Sequence, residues 1–160
     1  MNNFIFENKT KVYFGKGCVG EYLPKIAAVH GDKVLFAYGG GSIKKNGVYE
    51  EVIAALEKAG KTIIEFPGIM ENPTYKKVLE GTKLVKEKQV DWILAVGGGS
   101  VMDCSKAISM AAVSEKDVWD EYWAKKGVVD FEPMPLGVIV TASGTGSECN
   151  GEQLLPMKRS

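Results

Sequence analysis

Four apolar runs recur along the chain, and amphipathic stretches fill the intervals between them. The runs are Lys33–Tyr38, Thr62–Phe66, Trp92-Ile93-Leu94-Ala95-Val96 and Leu136–Val140. They are short and rich in β-branched and aromatic residues, so they predict strands, the last of them buried. Helical spacing marks the intervals. Val19, Leu23, Ile26 and Ala27 follow Gly17 and stop near Gly31; Val48, Val52, Ile53, Leu56 and Ala59 form a second stripe that Gly60 can end. Pro73 suits the start of a third helix with the stripe Val78, Leu79, Thr82 and Val85, and Ala107, Ile108, Ala111 and Ala112 mark a fourth. Phe4-Ile5-Phe6 and Val12-Tyr13-Phe14, separated by Asn8-Lys9-Thr10, predict an N-terminal β-hairpin at a sheet edge. Lys116–Tyr122 adds a short helical segment, and Gly127–Pro135 reads as a loop. Strands alternating with helices predict an α/β fold: a parallel sheet with right-handed crossovers and helices on both faces.

Two of the runs end in the same device. Tyr38 leads into Gly39-Gly40-Gly41-Ser42, and Val96 leads into Gly97-Gly98-Gly99-Ser100-Val101-Met102-Asp103. Glycine lets the backbone approach an anion closely, and the first N–H groups of a following helix lack internal partners. Ligands of such sheets sit beyond the carboxyl ends of the strands, so both turns, and Thr141-Ala142-Ser143-Gly144-Thr145 after the last run, can face one extended anionic ligand. A tight strand-to-helix connection is the alternative for any single triplet. Neither turn fits GxGxxG, because Met102 and Lys44 stand where the third glycine would be, and no GxxxxGK[ST] loop occurs.

Composition narrows the classes. With 160 residues, 45% hydrophobic and 25% charged, the default is one compact globular domain. Twenty basic residues balance twenty acidic ones, which argues against a nucleic-acid partner or a polybasic membrane surface. No apolar run approaches the roughly 20 residues of a membrane span. The start Met1-Asn2-Asn3-Phe4 lacks the regions of a signal peptide, and Cys18, Cys104 and Cys149 have no CxxC spacing; the expectation is free thiols in the cytoplasm.

Several separated motifs carry a family resemblance. Phe14-Gly15-Lys16-Gly17, the run from Tyr38 to Tyr49, GGGSxxD from Gly97 to Asp103, and Thr145-Gly146-Ser147-Glu148 resemble the iron-containing (group III) alcohol dehydrogenases, and within them the NADPH-dependent butanol dehydrogenase and aldehyde reductase branch. The resemblance covers about residues 1–151. It implies a Rossmann-like, dehydroquinate synthase-like nucleotide-binding domain, an atypical tail over 152–160, and a missing helical domain that holds the catalytic metal. By the same resemblance Gly98, Gly99 and Ser100 hold the pyrophosphate, Asp103 lies on the nicotinamide side, and Thr141, Thr145 and Asn150 line the adenine and ribose flank or the approach to the nicotinamide. Gly39, Gly40, Gly41, Ser42, Asn72 and Gly97 complete the expected cofactor-binding set. A first-turn acid favoured by the helix dipole is the alternative for Asp103, and a simple strand end for Thr141.

Cofactor choice has a physical argument of its own. An NAD site usually ends its second strand with a carboxylate that binds the ribose 2′-hydroxyl and repels a 2′-phosphate. Here Lys33–Tyr38 passes instead into glycines, Ser42, Lys44 and Lys45, which favours NADP(H) over NAD(H); a solvated lysine pair is the alternative. Family catalysis uses Fe2+ or Zn2+ held by one aspartate and three histidines. This chain has a single histidine, His30, so no catalytic or metal-ligating residue is assigned in it. Three readings follow: the cofactor-binding domain of an NADP(H)- and metal-dependent alcohol dehydrogenase or aldehyde reductase, inactive as this truncated chain; a standalone dinucleotide-binding or regulatory module; or a remnant without ligand. The expected partners are a nicotinamide dinucleotide, a small alcohol or aldehyde only in the complete enzyme, and a second copy of the chain in a dimer or other homo-oligomer.

Overall fold

A computed structural model describes residues 10–117, 119–120 and 131–142. Its strands are β1 (Lys33–Tyr38), β2 (Thr62–Phe66), β3 (Trp92–Gly97) and β4 (Leu136–Val140), all parallel, in the order β2-β1-β3-β4. The helices are α1 (Cys18–Ala28), α2 (Ser42–Lys45), α3 (Val48–Lys58), α4 (Tyr75–Lys88) and α5 (Gly99–Ala111). Each apolar run forms the strand it predicts.

The period-2 geometry of a strand divides the core into two layers. Val34, Phe36 and Tyr38 of β1 and Trp92, Leu94 and Val96 of β3 face one way, where Leu23 and Ala27 of α1 and Val52 and Leu56 of α3 cover them. Leu35, Ala37, Ile93 and Ala95 face the other way, under Val78 and Val85 of α4 and Ala107 and Ile108 of α5. Helices on both faces explain why β1 and β3 read as unbroken apolar runs.

Strand order sets up the crevice. From β1 the chain goes to β2 on one side, then returns through α4 to β3 on the other. The carboxyl ends of β1 and β3 therefore flank the topological switch point of the sheet.

Several details differ from the sequence reading. Val12-Tyr13-Phe14 is not strand, and Phe14 is almost fully exposed; the other half of the expected hairpin lies outside the described residues. Thr74, not Pro73, opens α4, its hydroxyl accepting a hydrogen bond from the Lys77 N–H at 3.3 Å. Leu79 is half exposed, because the buried stripe runs through Tyr75, Val78, Gly81, Thr82 and Val85, about 100° round the helix from it. β4, expected as a buried strand, is only half-buried at the end of the strand order. Trp119 and Asp120 form a π-helical turn, while the rest of the expected segment from 121 onward lies outside the described residues. Gly60 ends α3 as expected, at φ 71° with the Lys61 N–H returning to the Leu56 carbonyl at 3.1 Å.

The helix pair α4 and α5 meets through Gly81. A Cβ there would stand 2.4 Å from Ile108 Cδ1 and 3.1 Å from the Phe66 ring, so Gly81→Val should cost about 1–3 kcal/mol through overpacking. Leu79→Ala on the exposed side should stay within about 0.5 kcal/mol. Urea midpoints at constant m-value read both effects.

Two core groups hold their protons unusually tightly. Burial pushes the Cys104 thiol from 9.0 up to about 12, and burial plus donation to Asp117 at 2.7 Å pushes the Tyr75 phenol from 10.0 to about 12. Both pKa values are raised by folding, so their contribution to stability is complete below the unfolded values and is lost as pH climbs toward the folded ones. The urea midpoint should fall from about pH 9 upward; a flat profile to pH 11 would contradict this assignment.

Candidate functional site

Register brings the two glycine turns together. Tyr38 pairs with Val96, so Gly39 and Gly97 follow side by side at the carboxyl ends of β1 and β3. Val101, in the first turn of α5, lies between them: a Cβ on Gly97 would stand 2.7 Å from Val101 Cγ2, and one on Gly39 would stand 3.6 Å from the same atom. Gly97, at φ 159°, is thus required by the fold itself. The Thr141 N–H extends the pairing, donating to the Gly97 carbonyl at 3.0 Å, and Ala142 lies 3.7 Å from where a Gly98 Cβ would be.

A third segment closes over β1. The Gly68 N–H donates to the Gly39 carbonyl at 2.9 Å and the Ile69 N–H to the Tyr38 carbonyl at 3.2 Å. Buried Ile69 anchors this loop, which also carries Asn72, an exposed residue at φ 50°. Asparagine tolerates that left-handed conformation better than most side chains.

Other glycines have no fold-based reason to be glycine. Among the described residues, Cβ atoms on Gly40 and Gly41 would meet nothing within 4 Å, and none of Gly40, Gly41 and Gly98 has a left-handed φ. Gly98 caps α5 without any side-chain hydrogen bond, and Gly99 and Ser100, both half-buried, supply its first N–H groups. Ser42, exposed, begins the four-residue helix α2. Asp103 lies five residues into α5, beyond the turn in which a helix dipole acts, so the first-turn alternative does not apply; its carboxylate is nonetheless only 8% exposed. Thr145 and Asn150 lie outside the described residues.

Sequence reasoning missed the polar cluster at the end of β1. The hydroxyls of Tyr38 and Tyr49 both donate to Glu65 Oε1 at 2.8 Å, and the Lys44 ammonium lies over both rings. Burial and then the Glu65 hydrogen bond raise the Tyr38 phenol; for Tyr49 the hydrogen bond comes first. Only the aromatic residues at the strand end hinted at it, since the acid comes from another strand.

The chain's single histidine sits elsewhere. His30 precedes β1, its ring stacked on Trp92 at 5.2 Å and its carbonyl accepting from Lys61 Nζ, at the amino ends of the strands and opposite the glycine turns. Among the described residues no group of three or more His, Cys, Asp or Glu could hold a metal ion. The donor set present does not fit a three-histidine metal centre.

Comparison with known proteins agrees with this geometry. The family model described as iron-containing alcohol dehydrogenase matches residues 9–154. The chain is 44% identical over 155 residues to the probable NADH-dependent butanol dehydrogenase 1 of Bacillus subtilis, covering 97% of itself and 39% of that protein. It is 38% identical to the NADPH-dependent aldehyde reductase YqhD of Escherichia coli, covering 99% of itself and 40% of the reductase. Among solved structures, the NADH-dependent butanol dehydrogenase A of Thermotoga maritima superposes with a TM-score of 0.85 at 42% identity, over 94% of this chain and 37% of that one. The chain thus spans about two fifths of the length of these relatives. With the fold, the paired glycine turns and the match in agreement, the chain belongs to the iron-containing alcohol dehydrogenase family.

Proposed function

We propose that this chain is the cofactor-binding part of an NADP(H)-dependent alcohol dehydrogenase or aldehyde reductase. One observation carries the reading: two glycine turns stand together at the switch point of a parallel sheet, with Val101 beside both. Gly98, Gly99 and Ser100 open α5 toward a pyrophosphate, with unpaired helical N–H groups and the positive end of the dipole aimed at the anion. Gly39, Gly40, Gly41 and Ser42 take the adenosine end. The open space beside Gly40 and Gly41 is clearance for a ligand rather than for a neighbouring side chain. By family resemblance Asp103 takes the nicotinamide side, Thr141, Thr145 and Asn150 the adenine and ribose flank or the approach to the nicotinamide, and Asn72 belongs to the same cofactor-binding set.

A bound nicotinamide would supply the hydride; the residues here bind and orient it. Preference for the phosphorylated cofactor rests on Lys44 beside the first turn, where relatives of this chain include both NADH- and NADPH-dependent enzymes by name. The chain by itself is proposed to lack turnover, the metal ligands and the alcohol or aldehyde site belonging to the complete enzyme. It is expected to work in the cytoplasm and to associate with a second copy. No helix among the described residues is long and apolar enough to cross a membrane. Cys18 and Cys104 are free thiols, and the exposed Val12 and Phe14 offer apolar surface for self-association.

Calorimetric titration of the chain with NADPH and NADH tests the reading. Micromolar NADPH binding with clearly weaker NADH supports it, on the order of −8 kcal/mol at 1 μM; no heat with either sinks it. The glycines separate fold from ligand. Gly40→Ala and Gly98→Ala should leave the urea midpoint unchanged yet weaken NADPH by about tenfold or more, whereas Gly97→Ala should lower the midpoint itself, a loss of about 1–3 kcal/mol in stability.

A further inference from the structure

Glu65 occupies an unusual electrostatic position. It pairs with Phe36 in the β2–β1 register, on the face covered by α3, and its Oε1 accepts from two phenols at once. Tyr38 is the last residue of β1, immediately before Gly39, and Tyr49 lies in the first turn of α3. Their rings meet edge to face at 5.8 Å. The Lys44 Nζ lies 4.7 Å from the Tyr49 centroid and 5.6 Å from that of Tyr38. Each tyrosine therefore points its hydroxyl at the acid and its ring at the base.

A lysine ammonium on a flexible stem pairs readily with a nearby carboxylate. Here Lys44 forms no ion pair with any carboxylate among the described residues, whose ion pairs are Lys77–Glu80 and Lys83–Glu87. Charge-assisted hydrogen bonds from two phenols stabilise the Glu65 charge instead, and the ring quadrupoles hold the ammonium at the turn.

We propose that Tyr38, Tyr49 and Glu65 are positioning residues that set cofactor specificity: the phenols hold Glu65 through Oε1, and their rings draw the Lys44 ammonium away from it and present it to a phosphate monoester on the adenosine ribose. The inference rests on the reading of Gly39–Ser42 as the adenosine end of a dinucleotide site. It assigns the discrimination to a three-residue device rather than to the lysine alone.

The test uses the 160-residue chain and two probes that differ by one phosphate, 2′,5′-ADP and 5′-ADP, alongside NADPH and NADH. Exposed Lys44→Met should cut 2′,5′-ADP affinity by about tenfold and leave 5′-ADP unchanged. Tyr49→Phe keeps the ring but releases Glu65 from one donor, so Lys44 turns to the acid and part of the same discrimination is lost. Adding Glu65→Gln to Tyr49→Phe removes the competing charge and should restore it. A merely structural role for Tyr49 would weaken both probes together and would not be rescued. An unchanged probe ratio in Tyr49→Phe, or no recovery in the double variant, overturns the device while leaving the dinucleotide reading intact. Equal wild-type binding of both probes does the same. A wild-type chain that binds none of the four ligands overturns both.

Discussion

The parallel register between β1 and β3 is the constraint on which the rest of this molecule depends. Because Tyr38 pairs with Val96, Gly39 just after β1 and Gly97 at the end of β3 emerge as neighbours, and the helices that follow diverge to opposite faces of the sheet. A shift by one residue would turn Phe36 and Leu94 away from α1 and α3 and bury the wrong face. Register is therefore fixed by two apolar layers at once. The crevice at the switch point follows from a core that could not pack otherwise.

Val101 links that core to the site. Its side chain fills the space left by the absent Cβ of Gly97 and stands in ordinary contact distance of Gly39, so the first turn of α5 is seated against both strand ends. The N–H groups at the start of α5 are consequently held by packing, not by a capping side chain. A rigid, uncapped helix start is the arrangement an anion can use, because its donors are ordered before the ligand arrives. The loop pinned through Gly68 and Ile69 performs the corresponding task for β1, satisfying the carbonyls of Tyr38 and Gly39 and leaving the turn beyond them open.

How much of this was legible in the sequence depended on the range of the interaction. Local signals carried the four strands and the glycine end of α3, because apolar runs and Gly60 act through their own backbone. They misled where two local options competed: Pro73 and Thr74 are both helix openers, and only the hydroxyl of Thr74 finds an N–H to accept from. Leu79 and Val78 are adjacent apolar residues, and packing against α5 chose the stripe that includes Val78. The glycine turns were legible as a candidate site, but their closeness was not, since it comes from β1 and β3 pairing across an intervening strand in sequence. The Tyr38, Tyr49 and Glu65 cluster was the least legible part. Each member is an ordinary surface-compatible residue until the fold brings β2 beside β1 and lays α3 over both.

Relatives named for NADH and for NADPH both match this chain over nearly its whole length, so the shared fold does not by itself separate the two cofactors, and the proposed preference rests on side chains near the turn. Backbone N–H groups and glycine clearance serve the parts that the two cofactors share. A 2′-phosphate differs from a 2′-hydroxyl by two negative charges and extra acceptors, so it responds to the net field at the end of β1. That field depends on more than the number of acids and bases present. Glu65 and Lys44 carry opposite charges within one cluster, and left to themselves they would neutralise each other. The two phenols keep them apart, each holding the acid by its hydroxyl and the base by its ring face. Separation of that charge pair, rather than the lysine count of the turn, is what gives the first glycine turn a positive group to offer a phosphate.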